Sequence, residues 1–214
     1  MRDYLSPHYA QSALIIIDFQ NDCVLPGGTM EIPGSMDVLP ALTMLSQHMR
    51  KAERPVFHIV RAYLPDGSNA DLCRRSILEE GASLLAPDSH GANFPDALKP
   101  MDAPPLDWAT LLAGHVQRLS DCDHVLYKPR WGAFYQTPLE NFLRTLDIDT
   151  LIFAGCNFPN CPRTSIYEAS ERDFRIVLAQ DAMSGLYQQG IDELKNIGVT
   201  IKSSQEILSA LGNC

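Results

Sequence analysis

Positive charge is scarce in this 214-residue sequence: 17 Lys and Arg stand against 26 Asp and Glu, a net charge of −9. A protein that neutralises phosphates needs a basic excess or a basic patch. The densest basic pair here, Arg74-Arg75, is followed closely by Glu79-Glu80 and reads as a solvated helix face, so nucleic acid is not an expected partner. Long apolar runs are missing too. Residues 13–17 form an apolar stretch of five, far short of the ~20 that span a bilayer, and no membrane association is expected. The opening Met1-Arg2-Asp3-Tyr4-Leu5-Ser6-Pro7 has no secretory apolar segment, which makes a cytoplasmic location with reduced thiols the expectation. Among Cys23, Cys73, Cys122, Cys156, Cys161 and Cys214 there is no Cys-x-x-Cys, and Cys156-x4-Cys161 has no second pair to complete a zinc site. No Gly-x-Gly-x-x-Gly follows a strand, which argues against a dinucleotide-binding protein. No repeat or low-complexity tract occurs.

What is present is ordinary globular material, 45% hydrophobic and 20% charged, of a length that fits one domain over residues 1–214. Short, nearly continuous apolar runs at 13–18, 55–61, 124–128, 149–154, 174–179 and 199–202 predict strands covered on both faces. Helical spacing predicts helices at 36–54, 138–146, 162–172, 186–196 and 205–211. Strands alternating with helices imply an α/β domain with right-handed crossovers. Residues 62–120 break the rhythm. They carry Pro65, Pro87, Pro95, Pro100, Pro104 and Pro105, with room for short helices at 76–85 and 107–119. A Pro-rich insertion of this length between the second and third strands is expected to shape a pocket or a subunit contact.

Open parallel sheets bind ligands beyond the carboxyl ends of their strands. Three chemically competent residues fall there: Asp18 after the first strand, Lys128 after the third, and Cys161 in the loop after the fourth. Pro162 suits a first helical turn, which places Cys161 at a helix N-terminus, where partial positive charge favours thiolate. Lys128 adds to that effect, and Asp18 is placed to take the thiol proton. Together they make a nucleophile, a base and a cation from three separate strands. Arg61, ending the second strand, either pairs with a substrate carboxylate or forms a salt bridge to Asp66 or Asp71. Trp131, Phe134 and Tyr135 either line a pocket or belong to the core. The six histidines show no ligand spacing.

These residues carry a resemblance. Asp18-Phe19-Gln20-Asn21-Asp22 with Pro26-Gly27-Gly28 resembles the opening signature of the isochorismatase-like cysteine hydrolases, within the isochorismatase/nicotinamidase superfamily. Lys128-Pro129-Arg130-Trp131-Gly132-Ala133-Phe134 with Thr137 is similar to their lysine segment. Gly155-Cys156-Asn157-Phe158-Pro159-Asn160-Cys161, then Thr164 and Asp181-Ala182, is similar to their nucleophile segment, and the likeness runs from Ala13 to about Ile201.

The resemblance implies a three-layer, Rossmann-like α/β fold with a six-stranded parallel sheet and a Cys161-Asp18-Lys128 triad. It further implies attack by Cys161 on a carbonyl, release of ammonia or an amine, and hydrolysis of the resulting thioester, with no cofactor. The family's cis peptide maps onto Cys156-Asn157, so that the amides of Asn157 and Cys161 form the oxyanion hole. Phe158-Pro159 departs from the family pattern, and the cis bond could shift there. Arg61-Ala62-Tyr63 stands where metal-dependent nicotinamidases carry Asp-x-His, and Cys23 stands where they carry an aromatic ring. The first departure disfavours a metal site, and the second disfavours nicotinamide. Retention of Cys161 points to an amide or to a ureido or carbamoyl compound, with Arg61, Trp131, Phe134 and Phe158 as substrate-binding candidates. The alternatives are a catalytically silent family member acting as a binding module, or isochorismatase-type hydrolysis of a non-amide. A homodimer or homotetramer is the expected assembly.

Overall fold

The computed structural model describes residues 3–212, so Cys214 lies outside the described residues. Its strands are β1 (Ser12–Ile17), β2 (Val56–Val60), β3 (Gln117–Arg118), β4 (Asp123–Tyr127), β5 (Thr150–Gly155), β6 (Arg175–Met183) and β7 (Thr200–Lys202). They form one seven-stranded sheet in the order β3-β4-β2-β1-β5-β6-β7. Six of them are the apolar runs anticipated from the sequence, and their pairings are all parallel. The expected six-stranded parallel sheet therefore gains a seventh strand, the two-residue β3, which runs antiparallel to β4 at the sheet edge. Two residues leave no periodicity to read, so β3 is invisible in the sequence.

The helices are α1 (Asn21–Val24), α2 (Leu39–Lys51), α3 (Leu72–Glu79), α4 (Trp108–Leu112), α5 (Leu139–Thr145), α6 (Cys161–Ser170), α7 (Gln188–Asn196) and α8 (Ser204–Leu211). The period-two alternation of β1 explains the two layers they make. Ala13, Ile15 and Ile17 face Leu139, Leu143, Ile166, Ala169 and Leu194 on one side of the sheet. Leu14 and Ile16 face Leu42, Leu45, Met49, Ile207 and Leu211 on the other. Each such Leu or Ile, fully removed from water, contributes ~1.5–3 kcal/mol. That is why β1, buried along its whole length, sits at the centre. No helix among the described residues is long and apolar enough to cross a membrane.

Two helices of the insertion differ from the sequence expectation. Instead of 76–85, α3 starts after the extended Asp71 and stops before Gly81, whose φ of +94° leaves the helical region. Instead of 107–119, α4 is capped by the Asp107 carboxylate, which accepts from the Thr110 N–H at 3.1 Å. It ends before Gly114 at φ +83°, after which the chain pairs with β4.

The opening signature pins this insertion over the carboxyl edge of the sheet. The Gln20 side chain donates to the carbonyls of Arg61 (2.9 Å) and Ala92 (2.6 Å) and accepts from the Arg61 N–H (2.7 Å). Asn21 N–H donates to Asn93 O, and Asp22 N–H to Gly91 O. An Asp22 carboxylate oxygen accepts from Leu85 N–H at 2.8 Å. A Cβ at Gly91 would lie 2.1 Å from that carboxylate, so only glycine fits. Polar residues in the signature thus have a structural task, the satisfaction of buried backbone groups.

Candidate active site

The parallel register brings the ends of β1, β2, β4 and β5 to one edge, where Ile17 pairs with Ile59 and Gly155 and Val60 pairs with Tyr127. The next residues are Asp18, Arg61 and Lys128, and the loop after Gly155 leads to Cys161. Asp18 adopts φ +47°, a left-handed conformation that Asp tolerates better than most residues. Its N–H donates to Ile59 O at 2.9 Å. Lys128, fully buried, places Nζ 2.9 Å from Asp18 Oδ2 and also donates to Arg130 O at 3.0 Å. The other carboxylate oxygen, Asp18 Oδ1, is buried and accepts no hydrogen bond among the described residues.

Cys161 opens α6, with Pro162 in its first turn, and its thiol faces Asp18 and Lys128. Burial first, then the Asp18 carboxylate, pushes the thiol up to about 12, with Lys128 pulling the other way. Burial would lower the Lys128 ammonium, but the Asp18 carboxylate, the largest opposing influence, helps hold Lys128 above its ordinary value. The expectation that the helix terminus and Lys128 leave a resting thiolate is therefore corrected. In this dry site, desolvation and a neighbouring anion outweigh them. At rest Cys161 is a neutral thiol beside an ion pair.

The loop before Cys161 holds a cis peptide at Cys156-Asn157, the position expected, and not at Phe158-Pro159. Cys156 is tied to the end of β1: its N–H donates to Ile17 O at 2.9 Å, and its Sγ lies 3.1 Å from Asp18 O. Phe158 N–H donates to Ser184 O, while the N–H groups of Asn157 and Cys161 donate to no acceptor among the described residues. Both residues line the same cleft as Asp18, Lys128 and Trp131, which has about 480 Å³ of space including its open mouth.

Gly155 meets fixed backbone, with no side chain that could give way. It has φ +120°, and a Cβ there would lie 2.3 Å from the Ile17 carbonyl oxygen. Gly155→Ala is expected to pry β5 from β1 where Asp18 and Cys156 emerge. The outcome is loss of activity and a Tm lower by roughly 10 °C, read by thermal melting; an unchanged melt would contradict this account.

The lysine segment is anchored to α6, the helix that Cys161 opens. Ala133 N–H donates to Ser165 Oγ (3.0 Å) and Phe134 N–H to a Glu168 carboxylate oxygen (2.9 Å). A Cβ at Gly132 would lie 2.2 Å from that carboxylate, which explains the small residue after Trp131. Sequence reading missed Glu168 and Ser165, whose helical spacing signals only a half-buried face.

Of the substrate-binding candidates, Arg61 and Trp131 line the cleft. Arg61, however, is already engaged: it lies 3.1 Å from an Asp71 carboxylate oxygen, and it donates to Tyr127 Oη and to the Ala62 and Asn69 carbonyls. Phe134 and Phe158 are corrections. Phe134 packs at 5.9 Å from Phe174 with Arg172 over its ring, and Phe158, fully buried, stands edge-on to Tyr187 at 5.3 Å. Both belong to the core on the α5–α7 side, because their backbone anchors turn the rings away from the cleft. Tyr135 is half exposed. Arg74 is a further correction. It leaves the solvated face shared by Arg75, Glu79 and Glu80 and lines the cleft.

The isochorismatase domain family matches residues 12–206 of this chain. A crystal structure of an isochorismatase family protein from Desulfovibrio vulgaris superposes with a TM-score of 0.80 at 30% identity, covering 94% of this chain and 98% of that one. The N-carbamoylsarcosine amidase of an Arthrobacter species is 27% identical over 93% of this chain and 70% of its own length. A protein of Arabidopsis thaliana described as a probable inactive nicotinamidase is 24% identical over 94% of this chain and 97% of its own. With a family match over nearly the whole length and a shared fold at this level of identity, the chain belongs to the isochorismatase family.

Proposed function

We propose that this protein is a cysteine-dependent amidohydrolase that cleaves a C–N bond of a small amide, ureido or carbamoyl compound. One observation carries the reading: a thiol, a carboxylate with an unpartnered buried oxygen, and an ammonium 2.9 Å from that carboxylate meet at one cleft. The neutral Cys161 thiol attacks the carbonyl carbon as its proton passes to Asp18, for which Oδ1 is the available acceptor. Lys128 stabilises the arrangement as charge moves. The N–H groups of Asn157 and Cys161, which have no protein acceptor, receive the oxyanion. Collapse of the tetrahedral adduct breaks the C–N bond, and Asp18 returns the proton to the departing ammonia or amine. Water, deprotonated by Asp18, then hydrolyses the thioester and releases the acid and the free thiol. Nothing in this sequence of steps calls for a cofactor. The Arthrobacter amidase, a relative named for cleavage of a carbamoyl amino acid, supports the same chemistry.

The second reading, a catalytically silent binding module, takes its support from the relative described as probably inactive. Ammonia release from a panel of amides, carbamoyl acids and ureido acids, with mass spectrometry of the quenched enzyme, separates the two. The amidohydrolase reading expects turnover and an acyl adduct confined to Cys161. Neither ammonia nor adduct from any compound would favour the silent module.

A further inference from the structure

Three cationic side chains line the cleft, and two have partners. Lys128 is paired with Asp18. Arg61 is paired with Asp71, and Tyr63 Oη donates to the same carboxylate oxygen at 3.1 Å. Arg130, which does not line the cleft, donates to the Asn69 and Pro129 carbonyls and lies 4.0 Å from the remaining Asp71 oxygen. Arg74, on α3 of the Pro-rich insertion, is the exception. It is partly buried, it lines the cleft together with Cys161, and its Nε is buried without an acceptor among the described residues. The neighbouring Glu31 accepts from the Gly27 N–H at 2.8 Å.

The local balance is therefore opposite to that of the chain. A protein of net charge −9 sets Arg61, Arg74 and Lys128 against only Asp18 and Asp71 at this cleft. Withdrawing an unpaired guanidinium donor from water is costly, and an anion that receives it offsets that cost. A guanidinium fork suits a carboxylate, which it engages through two parallel N–H···O bonds. Arg61 would have to surrender Asp71 to do the same, whereas Arg74 has nothing to surrender.

We infer that Arg74 reads a carboxylate on the substrate, so that the insertion selects small anionic amides or ureido acids over neutral ones. This rests on the amidohydrolase reading for the identity of the reacting group, but the selection itself is a matter of binding. It is tested on the Cys161→Ala protein, in which turnover plays no part. Calorimetry compares N-carbamoylglycine with its neutral primary amide, in the parent and with Arg74→Ala or Arg74→Lys added. A charge-assisted pair of this kind corresponds to a preference of about 30-fold for the acid. Arg74→Ala is expected to erase most of that preference, and Arg74→Lys to keep part of it. Binding of neither compound, equal binding of both, or a preference that survives in Arg74→Ala would overturn the assignment. If the preference disappears with Arg74 while the wild-type protein releases no ammonia, the amidohydrolase reading fails and the carboxylate site stands. If neutral amides and acids are hydrolysed alike, with or without Arg74, the reverse holds.

Discussion

Replacing Cys161 by alanine is expected to abolish hydrolysis, lowering kcat by at least about 10⁴-fold, while the protein folds and melts almost as before. The two halves of this expectation have separate causes. Activity disappears because no other thiol is placed to substitute. Cys23 and Cys156 also line the cleft, but burial raises both thiols, and Cys156 is turned onto the Asp18 carbonyl. Stability persists because the resting thiol, pushed up to about 12, is neutral. Its removal strips no counter-ion from Lys128, which keeps Asp18 at 2.9 Å. Ammonia release and a thermal melt on the same preparation check both halves. Undiminished turnover would end the proposal that Cys161 is the nucleophile.

The neutral thiol also changes how reactivity is to be probed. A sequence that places Cys161 at a helix terminus beside a lysine suggests a thiolate ready for any small electrophile. On the proposed mechanism the proton leaves as a carbonyl carbon accepts the sulfur, with Asp18 alongside to take it. Substrate-like acylating compounds therefore report on this site better than generic alkylating agents, whose rate follows the resting thiolate fraction.

The fold was legible where side chains obey a period. Leu14 and Ile16 against Ala13, Ile15 and Ile17 announce a strand buried on both faces, and Leu42, Leu45 and Met49 announce the helix above it. The convergence of Asp18, Lys128 and Cys161 on one cleft was legible because strand ends in a parallel sheet share one edge, without any fine detail of packing. The substrate-facing residues were not. Whether Phe134 and Phe158 turn to the cleft or to the core depends on backbone bonds to Glu168 and Ser184. Whether Arg61 or Arg74 is free depends on Asp71, which the chain supplies ten residues after Arg61 and three before Arg74. The insertion lacks a repeating period, and α3 ran four residues earlier than spacing suggested. Arg74 on that helix could be placed only once the helix itself was.

Lys128→Met is expected to cost both activity and stability, by an amount that separates it from Cys161→Ala. Lys128 is fully buried, and Asp18 is nearly so. Removing the ammonium leaves a carboxylate in a dry site with one oxygen already unpartnered. Breaking a buried pair from one side costs ~3–5 kcal/mol, roughly 10 °C in Tm for a chain of this length. Methionine fills the volume of the lysine stem, so the loss reports on charge and not on a cavity. The double variant Asp18→Asn, Lys128→Met removes both charges, and asparagine tolerates the left-handed φ of +47° that position 18 requires. It is expected to regain much of the lost stability and to remain inactive, because neither base nor cation is restored. Should the single variant melt with the wild type, the pair at 2.9 Å contributes nothing measurable to the fold. Should the double variant hydrolyse substrate, proton transfer through Asp18 would be the wrong mechanism, even with Cys161 as nucleophile.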